Sequence, residues 1–158
     1  MDTDKTKTDK KDTPHEPSPL DEMYSRTFYT PDLVRCDLIN EILGELERQE
    51  PDSEILFMVR LALDEAIINA ITHGHGEDLD RSNTPVRVDC LIDDKCLAVR
   101  VTDNGLGFNP AAVPDPTLDE NLWKITGRGI FLMREAMDEV IYSSIGNSVL
   151  MIHRLQDA

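Results

Sequence analysis

Apolar residues recur along this chain with two periods, and the switches between them lay out its elements. Leu33, Val34, Leu38, Ile42 and Leu46 fall at helical spacing. Thr30-Pro31 ahead of them offers an N-cap and a first-turn proline. Pro51-Asp52-Ser53 breaks that helix and caps a second one, which Gly74 and Gly76 terminate. The second helix is largely apolar from Leu56 to Ile71 and is expected to be mostly buried. Alternation with a period of two marks strands. It is seen in residues 23–30 (Tyr24, Arg26, Phe28), at Val86, Val88 and Cys90, and at Leu97, Val99 and Val101. Asp93-Asp94-Lys95 turns between the last two runs. Residues 109–126 carry Pro110, Pro114 and Pro116 and read as a loop, and one this long inside a compact domain is functional or mobile. A helix from about Gly129 to Met137 follows, then a hairpin pair, Val140 to Ser144 and Ser148 to Arg154. The order is strand, two helices, two strands, loop, helix, two strands. That order predicts a two-layer α/β sandwich, with helices on one face of a mixed, mainly antiparallel sheet.

Residues 1–22 break the pattern. They mix Lys, Asp, Thr and Pro with almost no large apolar side chains, and read as a disordered tail before a domain spanning 23–158. At 158 residues the chain is long enough for one domain with a sizeable core. The net charge of −15 argues against direct nucleic-acid binding, because phosphate contacts need basic surface. No apolar run reaches the length of a membrane span, and the polar start lacks the apolar core of a signal peptide. Cys36, Cys90 and Cys96 are odd in number and lack metal-ligand spacing. A reduced, cytoplasmic setting is the simplest expectation.

Three short segments carry candidate chemistry: Glu65-Ala66-Ile67-Ile68-Asn69, Asp103-Asn104-Gly105-Leu106-Gly107-Phe108, and Gly127-Arg128-Gly129. Taken singly, each has a bland explanation. A Glu/Asn pair four apart is a polar helix face, Asp-Asn-Gly is a turn, and Gly-Arg-Gly is a loop-to-helix junction. Together they supply what a magnesium-triphosphate needs. Glu65 and Asn69 share one helix face. Mg²⁺ prefers oxygen and keeps several waters, so the Asn69 amide oxygen plus phosphates suffices. Glu65, one turn earlier, is placed to act as a general base on a hydroxyl or water attacking a γ-phosphate. Asp103 ends an alternating strand, where a buried acceptor takes an exocyclic amine such as that of adenine. Gly105 and Gly107 allow close backbone approach, and Gly127 and Gly129 open a helix whose N–H groups bind anions. His73 and His75 tempt a metal reading, but His-Gly-His-Gly at a helix end is a capping turn, and no further Cys or His completes a tetrahedral zinc set.

On these motifs the chain resembles the GHKL ATPase superfamily, and within it the small anti-sigma factor serine/threonine kinases of bacterial partner-switching systems. The family form Glu-Ala-x-x-Asn-Ala-x-x-His-Gly is matched by Glu65 to Gly74, and Asp-x-Gly-x-Gly-Phe by Asp103 to Phe108. The Gly-x-Gly, apolar helix and Asp-Glu-Val series is matched by Gly127 to Met133 with Asp138-Glu139-Val140. The resemblance covers roughly residues 23 to 156. It implies a Bergerat-type ATP-binding fold, with residues 109–126 as the nucleotide lid. It further implies Glu65 as catalytic base, Asn69 as magnesium ligand and Asp103 as adenine acceptor. Gly105, Gly107, Gly127 and Gly129 would be lid hinges and phosphate turn, and His73 would pack beside the nucleotide. Lys124 and Arg128 are the candidates for a basic lid residue assisting transfer. The implied partners are a STAS-type anti-anti-sigma protein as substrate and a sigma factor, and a homodimer is the common family state. The chain departs from the family once. Many members have Gly-Thr before the last strand, whereas here the turn is Gly146-Asn147-Ser148, with Asn147 in the Thr position.

No second domain acts as a transducer and no helical hairpin carries a phospho-accepting His (His15 lies in the polar tail), so a complete sensor histidine kinase or DNA-remodelling ATPase is not expected. Two functions remain from different classes. One is a protein kinase that also sequesters a partner. The other is a nucleotide-sensing binding module without significant kinase activity, whose lid order switches a partner surface. Trp123 in the lid is either a hydrophobic clamp or a partner contact.

Overall fold

The computed structural model describes residues 24–29, 32–49, 52–74, 85–113 and 128–155. The elements run β1 (Tyr24–Tyr29), α1 (Asp32–Leu46), α2 (Ser53–His73), β2 (Pro85–Ile92), β3 (Cys96–Thr102), α3 (Arg128–Ala136), β4 (Glu139–Tyr142) and β5 (Ser148–Arg154). A short 3₁₀ turn, Pro110–Ala112, breaks the expected loop, with Asn109 accepting from the Ala111 N–H. The sequence boundaries agree to within two residues. The cap of Thr30-Pro31, the expected N-terminal tail and the remainder of the expected loop lie outside the described residues.

The sheet has the order β1-β2-β3-β5-β4 among the described strands. All four ladders are antiparallel, in line with the mainly antiparallel sheet expected and without its parallel component. Connectivity explains this. After the helical pair α1–α2 the chain returns as β2, antiparallel to β1. The single helix α3 returns the chain as β4, running in the direction of β3 but one position removed. β5 then fills the gap between them and pairs antiparallel with both.

Residue parity sorts the sheet into two faces. Val88, Val101 and Val149 lie in register across β2, β3 and β5, as do Cys90, Val99 and Met151. These residues belong to the same core as Leu38, Ile39, Ile42 and Leu46 of α1 and Val59, Leu63 and Ile67 of α2. The helices therefore cover one face, giving the two-layer sandwich expected. Burial of Cys90 there pushes its thiol up to about 12 and leaves it unreactive at neutral pH.

Asp52 caps α2 by accepting from the Glu54 N–H at 2.8 Å, and Gly74 closes the other end by donating to the Ala70 carbonyl at 2.9 Å. The helix is less buried than its apolar sequence suggests. Val59, Ala62, Leu63, Ala66, Ile67 and Ala70 form the buried stripe, but Phe57 is 63% exposed and Ile68 38%. Those two point away from the sheet, because a helix on one sheet face has only one side to bury.

The fold yields two predictions. Leu63→Ala removes a fully buried side chain and is expected to cost about 2–5 kcal/mol in urea denaturation, whereas Phe57→Ala changes stability by less than about 0.5 kcal/mol. The second concerns the β2–β3 turn, where Asp93 accepts from the N–H groups of Lys95 (2.8 Å) and Cys96 (2.9 Å). These bonds, the Lys95 one foremost, lower the Asp93 carboxyl below its ordinary 3.8. Its contribution is present above that value and is lost as the pH falls through the lower folded one. Asp93→Ala is therefore expected to destabilise at pH 7, with the difference shrinking in melts taken at pH values progressively below 3.8.

Candidate nucleotide site

The face of α2 that carries Glu65, Asn69 and His73 opens onto a cleft of about 840 Å³. Small residues make the room. Ala66 and Ala70 alternate with the polar positions along α2 and line the same cleft, so no large side chain fills the space between helix and sheet. Val101 and Val149 of the sheet and Met133 of α3 supply apolar walls.

Asp103 closes one end. It continues the parity of Val99 and Val101, which turns it toward the helices at the C-terminal end of α2. A Cβ on Gly74 would lie 2.5 Å from the Asp103 Cβ, so only glycine permits this approach. The Gly105 N–H donates to Asp103 Oδ1 at 2.7 Å, an Asx turn that orients the carboxylate. Asp103 is half-buried rather than fully enclosed. Gly105 itself is buried behind the loop, where a Cβ would meet the His73 carbonyl at 2.9 Å.

α3 closes the other end. A Cβ on Gly129 would stand 2.5 Å from Glu65 Oε2 and 3.3 Å from Asn69 Nδ2. The first turn of α3 thus comes directly over the Glu65/Asn69 pair, with Arg128 at the helix start also lining the cleft. The first N–H groups of a helix have no partner within it and favour anions.

Two backbone segments join above Asp103. Gly107 (φ +73°) and Gly146 (φ +77°) occupy left-handed conformations, and each lies against the other segment's backbone: Gly107 against the Ile145 carbonyl and Gly146 against that of Phe108. Phe108 and Tyr142 pack edge to face, with ring centroids 5.3 Å apart. Burial pushes the Tyr142 hydroxyl up to about 12, against a smaller opposing effect of Arg134, so it stays protonated at neutral pH.

The cleft brings together Glu65, Asn69, His73, Asp103, Gly107, Arg128 and Gly129 from the sequence-derived set. Lys124 and Gly127, like Trp123 and His75, lie outside the described residues. Sequence reasoning gave no role to Tyr142 or Ser148, which also line the cleft. Strand parity was the available signal for Tyr142, since it shares the face of Val140. Among the described residues no cluster of three or more His, Cys, Asp or Glu is placed to hold a metal ion.

Comparison with known proteins places this geometry. Residues 30–153 match the family model described as histidine kinase-like ATPase domain. The anti-sigma F factor of Clostridium novyi (strain NT) is 30% identical over 117 residues, which span 70% of this chain and 79% of that protein. The anti-sigma F factor of Pasteuria penetrans is 34% identical over 113 residues, 68% of this chain and 73% of that protein. The serine-protein kinase RsbW of Listeria monocytogenes serotype 4a (strain HCC23) is 35% identical over 104 residues, 59% and 62% respectively.

Two of these glycines should respond differently to alanine. At Gly107 the Cβ would meet backbone at 1.8 Å in a left-handed conformation. Gly107→Ala is expected to cost more than about 1–2 kcal/mol, the penalty of the conformation alone. At Gly129 the obstacle is the mobile end of Glu65, and alanine favours helix by up to about 1 kcal/mol. Gly129→Ala should keep its melting temperature while a crystal structure shows the Glu65 carboxylate displaced.

Proposed function

Because the chain belongs to the histidine kinase-like ATPase family, we propose that the cleft between α2 and α3 binds ATP with Mg²⁺. In this reading the protein is a serine/threonine protein kinase and anti-sigma factor of a partner-switching system. It phosphorylates a STAS-type anti-anti-sigma protein and holds a sigma factor. The relatives named anti-sigma F factor and serine-protein kinase RsbW support this reading. The observation that carries it is the cleft itself: Glu65 and Asn69 lie under the first turn of α3 at one end, and Asp103 lies at the other.

The donor set fits the ion. The Asn69 side-chain amide, which carries one oxygen able to ligate, lines the cleft under Gly129, where any side chain would crowd the Glu65/Asn69 pair. One protein oxygen with phosphate oxygens and water satisfies Mg²⁺, so no carboxylate cage is needed. Mg²⁺ held there by Asn69 would supply positive charge against the charge that develops on the phosphate.

The chain's own residues then divide the work. Asn69 fixes the triphosphate end. The α3 N-terminus, with Gly127, Gly129 and Arg128, receives phosphate oxygens, and Lys124 is the second basic candidate. Asp103 accepts from the 6-amine of adenine, and His73 packs beside the nucleotide. Gly105 and Gly107 shape the turn over the base. Glu65 accepts the proton of the incoming Ser or Thr hydroxyl. The hydroxyl oxygen bonds to the γ-phosphorus as its bond to the β–γ bridging oxygen breaks, leaving ADP and a phosphorylated protein. Homodimerisation and a cytoplasmic setting complete the reading. No helix among the described residues is long and apolar enough to cross a membrane.

ATP titration with and without Mg²⁺, followed by transfer from labelled ATP to a STAS protein, tests the proposal. Asn69→Ala is expected to abolish the magnesium dependence of binding. Glu65→Gln is expected to spare binding and lower transfer about 10²-fold or more. Wild-type binding without any transfer would favour the nucleotide-sensing module, and unchanged transfer by Glu65→Gln would remove Glu65 as the base.

A further inference from the structure

We infer that Asn147 sets base selectivity in the cleft, acting as a positioning residue that fixes Asp103. The inference rests on the reading above, in which Asp103 receives the 6-amine of adenine.

The turn between β4 and β5 does not need the Asn147 side chain. It is closed by the Ser143 N–H donating to the Ser148 carbonyl (2.8 Å) and the Gly146 N–H donating to the Ser143 carbonyl (3.0 Å). The Asn147 amide reaches across to the end of β3 instead. Its Nδ2 donates to the Asp103 carbonyl at 3.3 Å. Its Oδ1 accepts from the Ser143 hydroxyl at 3.2 Å, and that hydroxyl oxygen accepts in turn from the Gly146 N–H at 3.2 Å. The relay fixes the sense of the amide. Turned over, it would set Oδ1 against the Asp103 carbonyl, acceptor facing acceptor.

The backbone adds a further tie, because the Asp103 N–H donates to the Asn147 carbonyl at 3.0 Å. Both backbone polar groups of Asp103 therefore end on Asn147. Asp103 stands just past the last residue of β3, where the strand ladder no longer constrains it. With its backbone held on both sides, the Asx bond to the Gly105 N–H is left to set the carboxylate direction.

The experiment measures binding of ATP and of purine riboside triphosphate, which lacks only the 6-amine. A hydrogen bond to a carboxylate should give the wild-type protein a preference for ATP of about 10-fold or more. Asn147→Ala is expected to cut that preference at least about threefold, while purine riboside triphosphate binds within about twofold of wild type. In an Asp103→Ala background Asn147→Ala should have no further effect on either ligand. Asn147→Asp keeps the side chain's shape but sets an oxygen against the Asp103 carbonyl, so it should lose the preference as well and serves if Asn147→Ala does not fold. An unchanged ATP preference in these variants, or equal weakening of both ligands, overturns the inference alone. A wild-type protein that shows no preference overturns the Asp103 reading and the inference with it.

Discussion

α2 buries Val59, Leu63 and Ile67 in the same core as Val88, Val99 and Met151 of the sheet, and that helix-on-sheet packing fixes the other positions. Its next faces run out of large residues. Ala66, Ala70 and Gly74 succeed one another at one-turn intervals, so the packing that is tight near Val59 and Leu63 opens into a cleft toward the helix end. Core and cleft are two stretches of one interface. A larger residue at Ala66 or Ala70 would strengthen the first at the expense of the second.

The glycines of the cleft work by different physics. Gly74 and Gly129 are matters of space: each lets a helix end come within contact of a carboxylate that a Cβ would displace. Gly107 and Gly146 are matters of dihedral angle as well, because both hold φ near +75° while facing backbone. The first kind sets what the cleft holds between α2 and α3. The second joins the Asp103 loop to the β4–β5 turn, so that parts from distant places in sequence act as one wall.

Much of this was legible in the sequence, and what was not has a common cause. Period-two and helical patterns placed every described strand and α-helix within two residues, since those patterns report which side of an element meets the core. Glu65, Asn69 and Asp103 were legible because their motifs are local and the helical period puts two of them on one face. The exposure of Phe57 and Ile68 was not legible: composition says that α2 is apolar but not which arc the sheet covers. The mainly antiparallel sheet was legible, but that no described ladder is parallel depends on where β5 inserts. The staple from Asn147 to Asp103 spans 44 residues, and nothing local to either position announces it.

The place of β5 also has a consequence for the order of assembly. The last described strand is not an edge but lies between β3 and β4, and it carries the turn that holds Asp103. During synthesis β1, α1, α2, β2 and β3 leave the ribosome first and can pair and pack with one another before β3 gains its second neighbour, β5. The Asp103 end of the cleft cannot form until Asn147 and β5 emerge and thread into the open slot. Closing that long-range ladder is the slow kind of step that non-local pairing imposes. A nascent chain truncated before Ser148 would thus hold Glu65 and Asn69 on a formed helix and still have no complete pocket, which ties competence for the nucleotide to completion of the chain rather than to the appearance of its motif residues.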